Sequence, residues 1–481
     1  MAFFKEKKKS IVVMTILFMV EISAIIRANF LYNDDLARNL EGYAGNAFDS
    51  RYLADWISKL TNGNNYITDI TPLTQIIACF LLAIAVVIIF SVIGKREMTF
   101  IDYVCGTMLM SPYFLENISY KVDSIFMAFS IVAVVIPFLW IKENAKFLVA
   151  SVIGILSMLM TYQASNGIYP MLVIVSVFLM WNDGENKIRD SLLFVVKAAV
   201  TYICCMLFYV LFLTRKIDEG YVNNSYVKGP GIISKVISNY KAYYRGVVGD
   251  FMKYWNILAL LLLIMCVITV VSSSKRKKIV ALLAMGVCGG LLFLMPFGAY
   301  PFLEKPIFEP RAMYGFSVLL LLLGVCILRY HKAMGIVSVI SNIVIFCLSW
   351  CFFAFSFTYG NALYNQMEYM NFRTAEVIED LTDLECFIQD GEKKVLIQGD
   401  AGYAPSIENY PYDFVLIKRL VPVYLSEGIN AWNSYRFFRY YGLDEVKQVY
   451  EFEDMTGFEL AQESLYHKIY ARDNDFIVEL K

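Results

Sequence analysis

Three short polar segments interrupt an otherwise apolar chain and carry residues that could do chemistry. The first reads "NDDLAR" and holds Asp34, Asp35 and Arg38, the second reads "SPYFLENISYKVDS" at 111–124, and the third ends in "EPRAMYG" with Arg311. A carboxylate can take a proton from a hydroxyl, while lysine or arginine can stabilise negative charge on a phosphate. These residue types therefore suit proton abstraction beside a bound phosphate.

The second segment has the highest density of such groups. Its candidate residues, all within eight positions, are Glu116, Asn117, Tyr120, Lys121 and Asp123. The structural alternative is an interfacial turn, in which Ser-Pro ends a helix, the tyrosines lie at the headgroup level and Lys121 extends toward water. Carboxylates gain little at a membrane edge unless they are paired, so the sequence leaves both interpretations open.

The first and third segments have structural alternatives as well. Asn33 or Asp34 could cap a helix, with both aspartates in its first turn favouring the helix dipole. Arg311 could anchor the chain to lipid phosphate. It could equally hold a substrate phosphate through two parallel hydrogen bonds, which lysine cannot do.

The whole chain has two histidines, His331 and His467. A histidine-based metal cluster or a Ser-His-Asp arrangement therefore lacks parts. Nine of the ten cysteines lie in or at apolar runs, and Cys386 alone lies in the polar tail, so no disulfide framework is expected there. Proton transfer must use carboxylates, lysine or tyrosine.

The elements that must position these groups are membrane helices. The chain has 481 residues, of which 58% are hydrophobic and 16% aromatic, which is too apolar for a water-soluble globule. We therefore predict a polytopic α-helical membrane protein. The apolar runs predict about eleven transmembrane helices, at about 11–28, 73–94, 99–113, 124–141, 147–163, 168–181, 191–213, 255–271, 279–295, 314–328 and 334–356.

Basic residues in the short connections predict the orientation of these helices. They fall on one side, beginning with "KEKKK", and include Lys95, Arg96, Lys142, Lys146, Lys187, Arg189, 275–278, Arg329 and Lys332. By the positive-inside rule that side is cytoplasmic. The N-terminus is therefore predicted inside, and the polar segments and the tail outside.

The tail is predicted to be a small extracytoplasmic α/β domain at 357–481, following a membrane domain at 1–356. Acidic residues outnumber basic ones there by two to one. The stretch "NFRTAEVIEDLTDLECF" has apolar residues at helical spacing, and "KVLIQG" and "DFVLIK" are typical of short strands.

These segments together resemble the serotype-converting O-antigen glucosyltransferase (Gtr) type of bacterial membrane enzyme, within the wider GT-C architecture. The resemblance is carried by the "NDD" loop, by "SPYFLENISYKVDS", by "EPRAMYG" and by the helix beginning "NALYNQMEYMNFRTAEVI". The "SPYFLENISYKVDS" block is the most specific of these, whereas a double aspartate is generic to many GT-C enzymes. No motif after about residue 400 takes part.

The resemblance implies transfer of a sugar, glucose in this family, from a polyprenyl-phosphate donor to a cell-surface glycan outside the bacterial cytoplasmic membrane. A single displacement with inversion needs one base. We assign the base to Asp34 or Asp35, phosphate binding to Lys121, Arg311 and Arg38, and sugar or acceptor contacts to Glu116, Asn117, Tyr120 and Asp123. Phosphate leaves without an acid catalyst or cofactor, although Mg²⁺ or Mn²⁺ could bridge Asp34 and Asp35. The partners are then the lipid donor, the glycan and membrane lipid, with no nucleic acid.

The main rival is a transporter or flippase for a lipid-linked sugar. Transporters place polar groups near the bilayer midplane and often contain inverted repeats. No repeat is evident here, but Glu21 and Arg27 fall within the first predicted span, where charges are costly and usually functional. A third interpretation, a scaffold that displays the tail, does not explain the dense polar groups of the external segments.

Overall fold

The computed structural model describes residues 2–110, 112–214, 226–330, 335–388, 391–410, 414–427, 431–444 and 446–481. The predicted turn around His331 lies outside them. The chain divides into two compact units. The helical unit comprises the residues up to Ser23, Ala44–Asn64 and Ile70–Phe357, and the α/β unit comprises Ala24–Tyr43, Asn65–Asp69 and Thr358–Lys481.

The helical unit is built of α-helices. Its α-helices are Ala2–Glu6, Lys8–Glu21, Tyr52–Asn62, Leu73–Ile89, Phe100–Thr107, Pro112–Ser119, Ser124–Val135, Asn144–Leu159, Ile168–Asn182, Ile188–Phe208, Ile232–Asp250, Lys253–Ser272, Lys278–Leu294, Pro310–Met313, Gly315–Arg329 and the first part of Ile336–Thr382. Short 3₁₀ or π turns extend several of them, at Asn46–Asp49, Phe90–Gly94, Met108–Met110, Ile136–Trp140, Gln163–Gly167, Tyr209–Leu213 and Tyr300–Phe302.

Every predicted span falls on helical segments. Within the described ranges, the helices long and apolar enough to cross a membrane are Leu73–Gly94, Gln163–Asn182, Ile188–Leu213, Lys253–Ser272, Pro310–Arg329 and Ile336–Thr382. The shorter apolar helices are Phe100–Met110, Ser124–Trp140, Asn144–Leu159 and Lys278–Leu294. The first predicted span is divided at Ile22 into Lys8–Glu21 and Ser23–Ala28. The predicted helical membrane class is confirmed, while the count of eleven spans stays a prediction.

Close packing of helices in the helical unit depends on small residues at contact points. A Cβ on Gly154 would lie 2.1 Å from the carbonyl oxygen of Ala133, so the helices Asn144–Leu159 and Ser124–Val135 touch through backbone at this point. Any side chain here would force the two helices apart, because interiors are packed too tightly to absorb the added volume.

The α/β unit contains a five-stranded sheet covered by helices. Its strands are β1 (Lys393–Gln398), β2 (Val446–Val449), β3 (Glu459–Glu463), β4 (His467–Arg472) and β5 (Asp475–Leu480). Their order is β2-β1-β5-β4-β3, with β1 parallel to β2 and β5, and β4 antiparallel to β3 and β5. Its helices are Ser23–Ala28, Asp34–Glu41, the last part of Ile336–Thr382, Glu385–Ile388, Pro405–Glu408, Val415–Leu420 and Ala431–Tyr440.

The sequence predicted part of this unit correctly. "KVLIQG" forms β1, and the predicted helix in the tail is the last part of Ile336–Thr382, which buries Val377 and Leu381 against the sheet. The prediction that "DFVLIK" is a strand was wrong, because Val415–Leu420 is a helix. Its buried residues are Leu416, Ile417 and Leu420, which fit the 3.6-residue period rather than strand alternation.

One buried cation joins the long helix to the sheet side of the α/β unit. Arg373 is 2% exposed and donates hydrogen bonds to the Tyr369 hydroxyl at 2.6 Å and to the carbonyl oxygens of Ala401, Tyr466 and Lys481 at 2.8–3.2 Å. Removing the guanidinium would leave all three carbonyl oxygens without this hydrogen-bond donor.

Arg373→Met should therefore destabilise the α/β unit by about 3 kcal/mol or more, because hydrogen bonds from a charged donor contribute about 1.5–3 kcal/mol each. Faster proteolysis of the tail in the detergent-solubilised protein, with a lower unfolding midpoint, would report the loss. Lys447→Met is the matched control: Lys447 forms an exposed pair with Glu392 at 3.1 Å, for which less than about 1 kcal/mol is expected. Equal behaviour of both variants would contradict the role of Arg373.

Candidate active site

The predicted external turn at 111–123 is largely helical in the structure. Pro112–Ser119 forms a helix whose eight residues are all buried, and the following Tyr120, Lys121 and Asp123 are each less than 5% exposed. Lys121 is enclosed by protein, so its side chain does not extend toward water as the interfacial alternative required. The position of this segment at the membrane interface stays a prediction. Lysine, glutamate and aspartate are rarely buried unless paired, so this enclosure needs specific partners.

One partner comes from the third polar segment. The Glu116 Oε1 atom lies 2.6 Å from Arg311 Nη1, and Oε2 accepts a hydrogen bond from the Arg311 backbone N–H at 2.7 Å. One carboxylate therefore holds both the backbone and the guanidinium of Arg311. Arg311 lies in the first turn of its short helix, where backbone N–H groups have no partner within the helix, so its N–H is available for this bond.

Further contacts fix the position of Arg311. Its carbonyl oxygen accepts hydrogen bonds from Asn117 Nδ2 at 3.3 Å and from the Tyr162 hydroxyl at 3.2 Å. The guanidinium carbon lies 6.0 Å from the centre of the Tyr120 ring. The structure thus brings Glu116, Asn117 and Tyr120 together around Arg311, whose side chain remains 20% exposed.

The turn that carries Lys121 is tied to the neighbouring membrane helix. Thr74 Oγ1 donates to the Lys121 carbonyl oxygen at 2.5 Å, and Gln75 Nε2 donates to the Ile118 carbonyl oxygen at 2.9 Å. Both donors belong to the first turn of the helix Leu73–Ile89. Backbone oxygens at and beyond the end of the helix Pro112–Ser119 thereby find partners outside it.

Arg51 is a second cation at this site, and sequence reasoning missed it. Arg51 Nε donates to Gln163 Oε1 at 2.9 Å, its guanidinium lies 5.1 Å from the Tyr162 ring centre, and Nη1 lies 3.6 Å from Asp49 Oδ2. The available signal was weak: Arg51 is the one basic residue between Arg38 and Lys59, in a predicted external loop.

Arg51 and Arg311 are both close enough to Tyr300 to influence the ionisation of its hydroxyl. Burial raises the pKa of Tyr300 to about 12, although both arginines lower it. At neutral pH this phenol keeps its proton and can donate a hydrogen bond. Two guanidinium groups and a phenol donor make an environment suited to an oxyanion such as phosphate.

The groups predicted to supply the base lie in the other unit. Asp34 and Asp35 begin the helix Asp34–Glu41 in the α/β unit, as the capping alternative expected, although Asn33 makes no side-chain cap hydrogen bond. Asp35 is 2% exposed, and its Oδ2 accepts the Tyr32 backbone N–H at 3.2 Å. Asp34 is half-buried, so it is the more accessible carboxylate.

The rest of this helix is held by the α/β unit. Arg38 is 4% exposed. Glu41 Oε1 lies 3.4 Å from Arg436 Nε and 3.3 Å from Arg439 Nη1 on the helix Ala431–Tyr440. The position of the aspartates therefore depends on the tail.

The side chains around Asp34 and Asp35 do not form a good binding site for a divalent metal ion. Within the described residues, no three carboxylate, histidine or cysteine side chains gather where they could hold a metal ion. Asp34 and Asp35 are neighbours on one helix, where successive side chains diverge, and Asp35 already accepts a backbone N–H. We therefore derive no step through a metal.

The helical unit also contains an apolar groove of about 660 Å³. We define it by the helices Ile168–Asn182, Ile188–Phe208 and Ile232–Asp250 and by the segment 295–302. Its rim includes Gly167 and Ala299, and Ala299 N–H donates to Asn166 Oδ1 at 3.0 Å. Gly167 is the last residue of the 163–167 turn, whose first residue, Gln163, accepts a hydrogen bond from Arg51.

Charged groups enclosed among helices of membrane-spanning length, with an apolar groove in the same unit, are typical of an integral membrane enzyme. The chain belongs to the glucosyl transferase GtrII family, whose model matches residues 23–322. It is also 28% identical over 411 residues to an uncharacterised 55.3 kDa protein from the gtrB 5′ region of Salmonella phage P22, with 81% of each chain covered. No solved structure matches. The resemblance to the Gtr type is confirmed, and the protein is a glycosyltransferase.

Proposed function

We propose that the protein transfers glucose from a polyprenyl-phosphate donor to a cell-surface glycan of the O-antigen type, on the extracytoplasmic side of the cytoplasmic membrane. The observation that carries this proposal is Arg311, locked by Glu116 inside a helical unit of the GtrII family, with Arg51 packed against Tyr162, the residue whose hydroxyl donates to the Arg311 carbonyl oxygen. Two fixed guanidinium groups suit a leaving phosphate.

The proposed reaction is a single displacement. The acceptor hydroxyl oxygen attacks the anomeric carbon, the bond from that carbon to the phosphate oxygen breaks, and the lipid phosphate leaves with the bonding electron pair. A carboxylate takes the hydroxyl proton. One displacement inverts the anomeric configuration.

Each group of residues has a proposed role in this reaction. Asp34 or Asp35 is the base, and Asp34 is favoured because it is the more accessible. Arg311, Lys121 and Arg51 stabilise the growing charge on the phosphate. Arg38, 4% exposed, keeps its sequence-based assignment to phosphate.

The residues around Arg311 are revised by their contacts. Glu116, first assigned to the sugar, is better placed to orient Arg311, since both of its oxygens are engaged by that residue. Asn117 also contacts the Arg311 carbonyl. Tyr120 and Asp123 keep their proposed contacts with sugar or acceptor hydroxyls.

A lipid-linked donor is supported by the apolar groove. A hydrocarbon chain gains about 25 cal/mol for each Å² of apolar surface removed from water, and the groove presents almost entirely apolar side chains such as Val173, Ile203 and Leu291. Its rim lies at the turn that holds Arg51. A donor with a phosphate head and an isoprenoid tail matches both features.

The transporter alternative retains one supporting observation. Glu21 is fully buried in the helix Lys8–Glu21, and neither of its carboxylate oxygens has a hydrogen-bond partner within the described residues. Buried carboxylates of this kind serve as proton carriers in transporters.

The purified protein in detergent distinguishes the two functions. Incubation with synthetic polyprenyl-phosphate glucose and the lipid-linked glycan should yield a glucosylated glycan without any membrane gradient, which a flippase could not do. Loss of one side-chain glucose from cells that lack the gene would identify the donor sugar and acceptor together. No glucosylated product under either condition would overturn the proposal.

The proposed orientation predicts a labelling pattern. A cysteine replacing the exposed Glu453 should react with a membrane-impermeant maleimide in cells whose outer envelope is permeabilised, whereas one replacing the exposed Lys277 should react only after the cells are lysed. The labelled peptide, identified by mass, separates these sites from native cysteines. The reverse pattern would move the reaction to the cytoplasmic side.

A further inference from the structure

A second cavity lies in the α/β unit, beyond residue 322, where the match to the family model ends. It has a volume of about 430 Å³ and lies at the carboxyl ends of the parallel strands β1 and β2. In open α/β sheets, ligands bind in the crevice outside the carboxyl ends of parallel strands. The volume falls in the usual range for small-molecule sites.

The lining combines aromatic, apolar and hydrogen-bonding side chains. Its walls are Gln398 at the end of β1, the segment Val449–Phe452 that begins with the last residue of β2, Met455 and Glu427. Tyr450 is 68% exposed, so its ring offers an open face, and Met455 is 48% exposed. Large exposed apolar groups around a cavity are a common feature of binding sites.

The polar groups of the cavity have hydrogen-bonding capacity left for a ligand. Glu427 is fixed by the backbone of Gly399, since its Oε2 accepts the Gly399 N–H at 2.9 Å and its own N–H donates to the Gly399 carbonyl at 2.8 Å. Over the described parts of the chain, the side chains of Gln398, Tyr450 and Glu451 make no hydrogen bond or ion pair with the protein.

The charge and shape of the cavity select the class of ligand. Two carboxylates repel phosphates and acidic sugars, and they accept hydrogen bonds from hydroxyl groups. The Tyr450 ring can cover the apolar C–H face of a sugar ring, while Gln398 can both donate and accept. Two carboxylates without a third metal-ligating side chain are a poor cation site, in agreement with the absence of such clusters from the described residues.

We propose that this cavity binds a neutral sugar unit of the acceptor glycan. The inference rests on the proposed function for the identity of the glycan, but its chemistry can be tested without the transfer reaction. The site would select the acceptor by binding a sugar unit other than the one whose hydroxyl group reacts.

The test uses the full-length protein in detergent micelles and a panel of neutral oligosaccharides of two to four hexose or deoxyhexose units, without donor. Binding is read by saturation-transfer NMR and calorimetry. At least one panel member should bind, and Tyr450→Ala and Glu451→Gln should each weaken its binding about tenfold, the loss expected for one aromatic or hydrogen-bonding contact. The matched controls, Tyr440→Ala and Glu453→Gln, change exposed residues of the same types outside the cavity and should bind like the parent.

In the transfer assay, the two cavity variants should raise the acceptor KM about tenfold while the donor KM stays at the parental value. Oligosaccharide binding without any transfer would leave this inference standing and overturn the proposed function. If both cavity variants transfer glucose with the parental acceptor KM, the proposed function stands and this inference is overturned. Binding restricted to acidic oligosaccharides or to Ca²⁺, or equal losses in the controls, would overturn the inference.

Discussion

Asp34→Asn is expected to lower glucose transfer by about 10²- to 10⁴-fold, the range in which a general base contributes. Asparagine keeps the shape and hydrogen-bonding of the side chain but cannot take the proton from the acceptor hydroxyl. Asp35→Asn should have a smaller effect if Asp34 is the base, because Asp35 is enclosed and bonded to the Tyr32 N–H. Initial rates with saturating donor and acceptor measure both.

The exposed Asn39 on the same helix provides a matched control. Asn39→Ala should transfer at the parental rate, since its side chain faces solvent. If Asp35→Asn abolishes transfer and Asp34→Asn lowers it only slightly, Asp35 is the base. Parental rates for both aspartate variants would mean that the pair serves only to begin the helix Asp34–Glu41.

Arg311→Met is expected to reduce kcat by about 10²- to 10³-fold, with a smaller change in donor binding, because its charge matters most as the phosphate becomes fully anionic. Lys121→Met should act in the same direction. Arg311→Lys tests whether the guanidinium binds phosphate through two parallel hydrogen bonds. Such a contact is largely lost with lysine, whereas a simple electrostatic contact survives. Single-turnover rates and donor affinity separate these effects.

Folding must be separated from chemistry in the Arg311 variants. Removing the guanidinium leaves Glu116 as a buried unpaired carboxylate, which can cost about 3–5 kcal/mol. The double variant Glu116→Gln with Arg311→Met removes both charges, so it should recover the parental unfolding midpoint but not the activity. Recovery of turnover in the double variant would show that Arg311 only neutralises Glu116.

The sequence predicted features that depend on local pattern. Apolar runs of about 20 residues located the long membrane helices, and a short apolar run ending in Gln-Gly located β1. The same local signals failed at Val415–Leu420, where three consecutive apolar residues fit a buried strand or one helical turn equally well. They also failed at Pro112–Ser119, because a helix enclosed on all sides has no polar face to mark its period.

The contacts of the candidate site could not be predicted from spacing. Glu116 and Arg311 are 195 positions apart, and each alone was compatible with a surface role. Arg51 gave even less signal, since it lies in no motif, and only the packing of its loop against Gln163 and Tyr162 makes it part of the site. Residue types indicated the chemistry, whereas the pairing came from tertiary structure.

The discontinuous α/β unit has a consequence for biosynthesis. Its early segment, Ala24–Tyr43, leaves the ribosome long before the residues it packs with, such as Tyr424, whose hydroxyl donates to the Leu31 carbonyl at 2.9 Å. β5, the last of the five strands along the sequence, is the middle strand of the sheet. The early segment with Asp34 and Asp35 must therefore wait, unassembled, through insertion of the intervening membrane helices, and a nascent chain stalled before β5 would hold its proposed base in an unfinished unit.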